Sequence, residues 1–295
     1  GINEGSIEMN YKNSVGMYGE NVTKLENSTT SSKITLAEEE SVGMYGAILP
    51  IDKTVTTDIK DATQFIVKNK GTIGLGGKKS VGIYLKNEST KADSNEKLAN
   101  LSAENTGTIA LTSGEESIGI YAPKATISSV GKITMDNLVT KSIAAYISDG
   151  GKIADASTAN INLGTSGENI AYYVKDANTS IEGTDVGTVK GYGVGVYLEN
   201  AKLGANSPEL KFKKGTATGN GIIGLYLKGN TKISDYTKTI TVGNTVGTNS
   251  AIGIYSEKQG TSLTAPYTIK ANIKTGTKAV GVFSAPGTDK SYIKY

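Results

Sequence analysis

The sequence predicts an all-β protein, a right-handed parallel β-helix (solenoid) of about ten three-strand coils that occupies residues 1–295 as a single domain. Two observations lead to this prediction. A five-residue motif that ends in an aromatic residue recurs ten times, at intervals of 24 to 39 residues. Each interval also contains short runs of alternating apolar and polar residues, and none shows the i, i+3, i+4, i+7 apolar spacing of an amphipathic helix.

The repeated motif reads S(V/I)G(I/M)Y in its clearest copies, such as SVGMY at residues 14–18 and SVGIY at residues 80–84. Nine of the 16 Tyr residues occupy its last position, which chance does not explain. Because equivalent segments of a solenoid lie on one another, the ten aromatic residues are expected to form one stacked column along the rod. This predicted aromatic ladder comprises Tyr18, Tyr45, Tyr84, Tyr121, Tyr146, Tyr173, Tyr197, Tyr226, Tyr255 and Phe283.

Each period carries two further strand signals. One precedes the motif, as in GTIGL at residues 71–75, and one follows it by six to eight residues, as at Ile127 and Ile153. Three short strands cannot bury an apolar face alone, so successive coils must stack in parallel about 4.8 Å apart, with the right-handed crossover that parallel connections adopt. The two longest periods, of 39 and 37 residues, are assigned loop insertions at residues 47–70 and 86–105.

Strict strand alternation predicts the direction of the side chains in the motif. Val81 and Ile83 share one face, and Ser80, Gly82 and Tyr84 share the other. The aliphatic pair should face the core and the ring should face outward, with the glycine leaving a flat strip for neighbouring rings. A stacking ladder that stabilises the coil is favoured over recognition of a glycan or a protein partner by the rings, although both roles stay open.

A second column of side chains is predicted from charges just before the motif. Their sign alternates from coil to coil, which would form an ion-pair ladder between neighbouring coils, each pair contributing about 0–1 kcal/mol. The predicted charge ladder comprises Lys12, Glu40, Lys79, Glu116, Lys141 and Glu168.

Composition excludes many functional classes. The chain has no Cys, His or Trp, and all of its 31 basic residues are Lys. Disulfides, thiol chemistry and histidine-based metal or acid–base sites are therefore absent, so neither a cofactor nor an enzymatic activity is expected. A net charge of +3 gives no reason to expect nucleic acid as a partner. No apolar run is long enough to enter a membrane, and the first ten residues do not resemble a signal peptide.

The recurring GxIxL … S(V/I)G(I/M)Y pattern, in a chain without Cys or Arg and rich in Lys, Asn, Thr and Gly, resembles the passenger region of large fusobacterial type V (monomeric) autotransporter adhesins. The resemblance extends over essentially the whole chain. It implies a surface-exposed, monomeric fragment of a longer passenger, tethered to the outer membrane through a β-barrel that these residues do not include. It also implies attachment to a protein or glycan on host cells or other bacteria. No binding residue of the family maps onto this sequence, so the ligand-binding residues are unknown.

Two other functions stay open. The segment could be a passive spacer that holds a distal binding tip away from the cell. A carbohydrate-active β-helix enzyme is the less favoured alternative, because such enzymes use clustered acids with Arg, Lys or His on one face, and this chain offers only Lys and carboxylates. The adhesin is preferred, with the two insertions as the first place to look for a binding surface.

Overall fold

The computed structural model describes residues 1–49, 64–88, 100–165, 168–214, 222–231, 233, 236–242, 251–257, 267–268, 272–275, 279–285 and 293–294. Within these ranges the chain consists of short β-strands and connecting turns, with a single turn of 3-10 helix at Ala156–Thr158. The strands form three long sheets, here called A, B and C, and two small two-stranded sheets.

The bounds of the strands follow by sheet. Sheet A contains Ile2–Asn3, Lys24–Asn27, Phe65–Asn69, Leu101–Asn105, Thr126–Ser129, Lys152–Ile153 and Ser180–Ile181. Sheet B contains Ser6–Met9, Lys33–Leu36, Thr72–Leu75, Thr108–Leu111, Lys132–Met135, Asn160–Asn162, Thr188–Gly191, Leu210–Lys214, Thr239–Val242 and Asn272–Thr275. Sheet C contains Val15–Glu20, Val42–Ile48, Val81–Asn87, Ile118–Pro123, Ile143–Ser148, Ile170–Lys175, Gly193–Glu199, Ile222–Lys228, Ile252–Ser256 and Val280–Ser284. The small sheets pair Gly114–Glu115 with Val139–Thr140 and Tyr267–Thr268 with Ile293–Lys294.

The path of the chain defines a solenoid. Ile2–Asn3, Ser6–Met9 and Val15–Glu20 lie in sheets A, B and C respectively, and Lys24–Asn27 returns the chain to sheet A for the next coil. In all three sheets the order of strands equals their order in the chain, and each strand pairs in parallel with its equivalent in the next coil. The predicted all-β parallel solenoid is therefore confirmed; its right-handed sense stays a prediction.

The core is a continuous apolar column inside the three sheets. In one coil it is filled by Val67 from sheet A, Ile73 and Leu75 from sheet B, and Ile83 and Leu85 from sheet C, all fully buried. Sheets A and B reach this arrangement by simple alternation of buried and half-buried residues. Burying each such Ile or Leu contributes about 1.5–3 kcal/mol relative to an exposed position, so the stacked coils supply the stability that one coil lacks.

The predicted alternation within the motif is wrong at one point. Gly82 and Ile83 are consecutive residues and both face the core, whereas Val81 before them and Tyr84 after them face outward. The same kink recurs in every coil, so the pairing between coils stays in register on both sides of it. The glycine was expected to lie beneath the rings, but it packs against sheet B instead. A Cβ at Gly82 would lie 2.9 Å from Ile109 Cγ2 and 2.6 Å from the Gly119 carbonyl oxygen.

The bounds predicted for the two insertions are too wide. Residues 47–48 end a sheet C strand, and Phe65–Asn69 is a complete sheet A strand with Phe65 fully buried. Likewise, residues 86–87 and Leu101–Asn105 belong to strands of sheets C and A. The strand residues look polar enough for a loop because every second one faces solvent. The central parts of both insertions, residues 50–63 and 89–99, lie outside the described residues.

A ladder of buried serines runs along one corner of the solenoid. In the first five coils, the serine that opens the motif donates its backbone N–H to the side-chain oxygen at the equivalent position of the next coil, at 3.0–3.3 Å. The ladder comprises Ser14, Ser41, Ser80, Ser117 and Ser142 and ends on the side chain of Asn169. Because each hydroxyl satisfies a backbone donor that would otherwise be buried without a partner, the serine has a structural reason to recur.

A second buried ladder consists of asparagine side chains in sheet A. Asn3, Asn27 and Asn69 each donate from Nδ2 to Oδ1 of the next asparagine at 2.8 Å, and the last of these acceptors is Asn105. Asn105 Nδ2 ends the ladder by donating to the Val130 carbonyl oxygen at 2.7 Å. Three of the four asparagines are fully buried, so every amide must find its hydrogen bonds inside the protein.

The predicted charge ladder does not form as expected. Lys12 pairs with Glu39 rather than with Glu40, and Lys141 lies 3.9 Å from the carboxylate of Glu115 rather than from Glu116. Among the residues that the structure describes, Glu40, Lys79, Glu116 and Glu168 have no ionic partner within 4.0 Å. The ion pairs therefore use Glu39, Lys78 and Glu115, each one residue before a predicted position, whereas Lys12 and Lys141 take part as predicted.

A left-handed turn explains this shift. Glu40, Lys79, Glu116, Lys141 and Glu168 all adopt φ between 52° and 62°, the conformation in which the chain turns sharply. They stack through their backbone, as when Glu40 N–H donates to the Lys78 carbonyl oxygen at 3.0 Å. Their side chains are exposed at the corner. The preceding Glu39, by contrast, reaches along the rod and pairs with Lys12 and Lys78 of the neighbouring coils.

We expect Glu39→Lys to lower the urea concentration at which the protein unfolds and Glu40→Lys to leave it unchanged. Glu39 lies between Lys12 and Lys78, the latter 3.5 Å away, so the substitution replaces two attractions with two repulsions. Glu40 is exposed and unpaired among the described residues, and its substitution removes no such contact. Urea unfolding at low salt measures the stability of both variants. Equal effects of the two substitutions would contradict the conclusion that Glu39, and not Glu40, forms the ion pairs.

Candidate functional site

The ten aromatic residues of the predicted ladder lie on the outer face of sheet C, one in each coil. Neighbouring ring centroids are 4.6–5.3 Å apart. Eight of the nine pairs are stacked, with interplanar angles of 10–28°, and Tyr84 and Tyr121 are tilted at 37°. The structure thus brings all ten rings into one continuous stack from Tyr18 to Phe283, here called the aromatic strip.

The kink in the motif sets the direction of the rings. Because Ile83 and Leu85 are both fully buried, the intervening Tyr84 must face outward. The rings within the strip are nevertheless half-buried, since each is covered by the rings of the coils on either side. Tyr18, in the first coil, is more exposed than the rings inside the strip, at 57%.

Two columns of side chains flank the aromatic strip. On one side, three residues before each ring, lie partly exposed aliphatic side chains: Val15, Val42, Val81, Ile118, Ile143, Ile170, Val194, Ile223, Ile252 and Val280. On the other side, two residues after the ring, most coils carry a charge: Glu20, Lys86, Lys175, Glu199, Lys228 and Glu257. Glu199 lies 3.9 Å from Lys175 Nζ and 3.6 Å from Lys228 Nζ. Sequence analysis missed this column, although charges in YLK, YVK and YLE marked it.

The hydroxyl groups of Tyr173, Tyr197 and Tyr226 stay protonated near neutral pH. Burial raises the pKa of Tyr173 well above its ordinary value, and the hydrogen bond that its hydroxyl donates to the Glu199 carboxylate raises it further. Burial also raises the pKa of Tyr197 and of Tyr226. These three rings therefore present neutral phenol edges, bordered on one side by charge.

The stacking of the rings limits what the strip can bind. A sugar packs on an aromatic side chain through the open face of the ring, and an adjacent ring already covers each face within the strip. Only ring edges and hydroxyl groups point outward. This geometry favours a stabilising role for the strip over recognition of a glycan by its ring faces.

We expect Tyr121→Ala to lower the free energy of unfolding by about 2–4 kcal/mol, because it removes two aromatic pairs together with their buried area. Tyr121 lies with its ring centroid 5.0 Å from that of Tyr84 and 4.9 Å from that of Tyr146. Tyr121→Phe is the matched control and should change stability by less than about 0.5 kcal/mol, since it keeps the ring. Urea unfolding monitored by circular dichroism measures the stability of both variants. Similar losses of stability in Tyr121→Ala and Tyr121→Phe would mean that the hydroxyl group, rather than the stacked ring, stabilises the fold.

The two insertions leave and rejoin the solenoid at one place, here called the loop corner and defined by Leu49, Gln64, Glu88 and Asn100. These four residues are the last that the structure describes on either side of the two insertions. Both insertions connect a sheet C strand to a sheet A strand, and they do so in adjacent coils. The departing chains are joined by a hydrogen bond from Glu88 N–H to the Ile48 carbonyl oxygen at 2.8 Å.

The returning chains are also neighbours. Phe65 N–H donates to the Asn100 carbonyl oxygen at 3.0 Å, and Phe65 pairs with Leu101. In a coil without an insertion, Pro123 and Thr126 occupy positions equivalent to Lys86 and Ser102 and are only three residues apart. The attachment points of the two insertions therefore lie side by side in adjacent coils, on one edge of the solenoid.

The described residues offer no other site with recognisable chemistry. They contain no group of three or more Asp or Glu side chains that could hold a metal ion. None of their helices is long and apolar enough to span a membrane. Comparison with protein-family models, with curated proteins and with solved structures found no match. The function proposed below therefore depends on the geometry of the chain itself.

Proposed function

We propose that this chain is a segment of a cell-surface adhesin, a passenger in which the solenoid is a rigid stalk and the two insertions mediate attachment. The observation that carries the proposal is the loop corner, where both insertions emerge from adjacent coils. Rigid scaffolds commonly present their binding residues on loops, since the framework fixes the positions of the loop ends without constraining their sequence.

The remainder of the chain suits an extracellular stalk. Each coil contacts its neighbours through parallel strands, so the rod can lengthen by adding coils and can fold from one end. The chain has no Cys, so its stability comes from the stacking of its coils rather than from disulfides. Residues 50–63 and 89–99 combine Asp, Glu, Lys, Ser and Thr, a composition suited to hydrogen bonds with a protein or a glycan. Under this proposal the partner is a surface protein or glycan of a host cell or another bacterium.

The test is the binding of the purified chain to epithelial cells, to bacterial cells and to an array of glycans. Three variants are compared with the unaltered chain: one with residues 50–63 replaced by a Gly-Ser linker, one with residues 89–99 replaced, and one with both replaced. These bounds keep the buried Ile48 and Phe65, which the wider bounds predicted from sequence would have removed. We expect the intact chain to bind and the double replacement to lose binding while keeping its fold.

A matched control tests whether a change at the same corner of the solenoid, in a coil without an insertion, affects binding. Asp149→Gly alters the equivalent corner of a coil that has no insertion, at a residue that is exposed and has φ of 54°. This variant should bind like the unaltered chain. If the intact chain binds nothing above background, the adhesin proposal fails and a passive spacer is the better description. If the double replacement binds as well as the intact chain, the insertions are not the binding surface.

A further inference from the structure

The aromatic strip holds phenol rings of adjacent coils in direct contact. Tyr173, Tyr197 and Tyr226 are consecutive rings whose centroids are 4.6 Å apart, the shortest separation in the strip. Their interplanar angles are 20° and 11°. Parallel strand pairing holds their backbones in register, with Tyr173 opposite Tyr197 and Tyr197 opposite Tyr226. Rings at this separation are van der Waals neighbours. They are close enough for an electron to pass between them and for the ring carbons next to oxygen to meet once the rings turn toward each other.

One of these rings also has a proton acceptor. The Tyr173 hydroxyl donates a hydrogen bond to the carboxylate of Glu199, which follows Tyr197 by two residues. A neutral tyrosine loses its phenolic proton when it loses an electron, because the radical cation is a strong acid. A carboxylate already hydrogen-bonded to the hydroxyl can accept that proton at once. The Glu199 side chain is 18% exposed and can pass the proton to solvent.

From this geometry we infer that the aromatic strip is a site of oxidative modification, at which Tyr173 and Tyr197 couple to form an intramolecular dityrosine cross-link. The oxidant is a peroxidase-type one-electron oxidant supplied with hydrogen peroxide. Each tyrosine gives up one electron and its phenolic proton, and the two phenoxyl radicals join through a new carbon–carbon bond between the ring carbons next to oxygen. The hydrogen on each of those carbons then moves to the oxygen and restores both phenols. The two electrons and two protons released reduce one hydrogen peroxide to two water molecules.

The strip extends this reactivity to its nine tyrosines. An electron removed from any of them can be replaced from a neighbouring tyrosine, because every ring separation from Tyr18 to Tyr255 is 5.3 Å or less. The radical therefore migrates until it reaches a ring whose proton has a carboxylate acceptor. Tyr173 has one in Glu199 and Tyr18 has one in Glu20, but of these two only Tyr173 belongs to the most closely spaced ring pairs. The cross-link joins residues 24 positions apart in adjacent coils. In a chain that has no Cys, it is a covalent tie between coils that needs no disulfide.

The experiment treats the purified chain with a haem peroxidase and limiting hydrogen peroxide. Dityrosine fluorescence measures the amount of product, and mass spectrometry of proteolytic fragments locates it. We expect the fragment that joins Tyr173 to Tyr197 to be a principal product at dilute protein concentration, in monomeric chains, and to be absent when the chain is oxidised in denaturing urea. Tyr197→Phe should abolish that fragment while keeping the stack, as Phe283 does in the last ring pair. Glu199→Gln should slow its formation, because an amide cannot accept the proton.

Tyr11 supplies the decisive control. It is the most exposed tyrosine among the described residues, at 81%, and lies outside the aromatic strip. If oxidation followed exposure alone, cross-links would concentrate on Tyr11 and join separate molecules. That outcome, or equal formation of the Tyr173–Tyr197 link in folded and urea-unfolded chains, would overturn the inference. We expect Tyr11→Phe to leave the Tyr173–Tyr197 product unchanged.

Discussion

We expect Gly82→Val to lower the free energy of unfolding by about 3 kcal/mol or more. Gly82 faces the core, where a Cβ would lie 2.6 Å from the Gly119 carbonyl oxygen and 2.9 Å from Ile109 Cγ2. The first of these atoms belongs to the backbone of the next coil, so it cannot move without disturbing the pairing of sheet C. A branched side chain would push sheet B away from sheet C, and it would also separate the two neighbouring coils. Urea unfolding monitored by circular dichroism measures the loss.

Gly74→Val is the matched control for this substitution. Gly74 lies in sheet B of the same coil but faces outward, and the nearest atom to a Cβ there is the Ile34 carbonyl oxygen at 4.0 Å. Its neighbours in the sheet are Thr35 and Ala110, which already carry side chains at this position. We expect Gly74→Val to leave stability unchanged or to raise it slightly, since valine favours strands. A Gly82→Val chain as stable as the Gly74→Val chain would show that the motif glycine does not face inward.

Natural variation along the chain supports this interpretation. Two coils carry alanine in place of the inward glycine, at Ala144 and Ala171. Both coils also differ at the next core position, where Ala145 and Tyr172 stand instead of the Met, Ile, Val or Leu of the other coils. Tyr172 is fully buried and donates its hydroxyl to the Val186 carbonyl oxygen at 2.9 Å. The additional methyl group is thus accompanied by repacking around it, which a single substitution at Gly82 would not provide.

The stacking of the coils and the file of rings could be predicted from sequence because both follow from periodicity alone. Once segments such as residues 80–84 and 117–121 are placed in register, every equivalent side chain is in register as well. The kink at the glycine could not be predicted in this way. SVGIY reads as regular alternation, and only the apolar residue after the ring, such as Leu85, indicates that Ile83 and Leu85 share the inner face.

The partners in the ion pairs and the ladder of buried asparagine side chains could not be predicted from the sequence alone. A residue with positive φ such as Glu40 looks like any exposed charge in sequence, so the shift of the ion pair to Glu39 was not visible. The buried asparagines are separated by 24, 42 and 36 residues, which hides their common position. The only sequence signal is an asparagine two residues before glycine, in NKGTI at residues 69–73 and NTGTI at residues 105–109.

We expect Asn69→Ala to lower the free energy of unfolding by about 2–4 kcal/mol, because it leaves two buried amides unpaired. Asn27 Nδ2 would lose its acceptor and Asn105 Oδ1 its donor, each now at 2.8 Å from the Asn69 side chain. An unsatisfied buried polar group costs about 1–3 kcal/mol. Asn3→Ala is the control at the partly exposed end of the ladder, where solvent can replace the lost bond. Asn3→Ala should lower the free energy of unfolding by less than about 1 kcal/mol. If Asn69→Ala and Asn3→Ala lower it equally, the buried asparagine ladder contributes little to stability.

Asn69→Asp separates the hydrogen-bonding role of this residue from its packing. The carboxylate has nearly the same shape but no N–H, so it cannot donate to Asn105 Oδ1 and places a charge at a fully buried position. Burial should raise the pKa of this carboxyl in the folded chain above its value in the unfolded chain, where it titrates normally. The variant should therefore be strongly destabilised at neutral pH and regain stability, relative to the unaltered chain, as the pH falls through the folded-state pKa and the neutral acid recovers a donor. A loss of stability that does not change with pH would show that packing, rather than the hydrogen-bonded ladder, accounts for the requirement for asparagine.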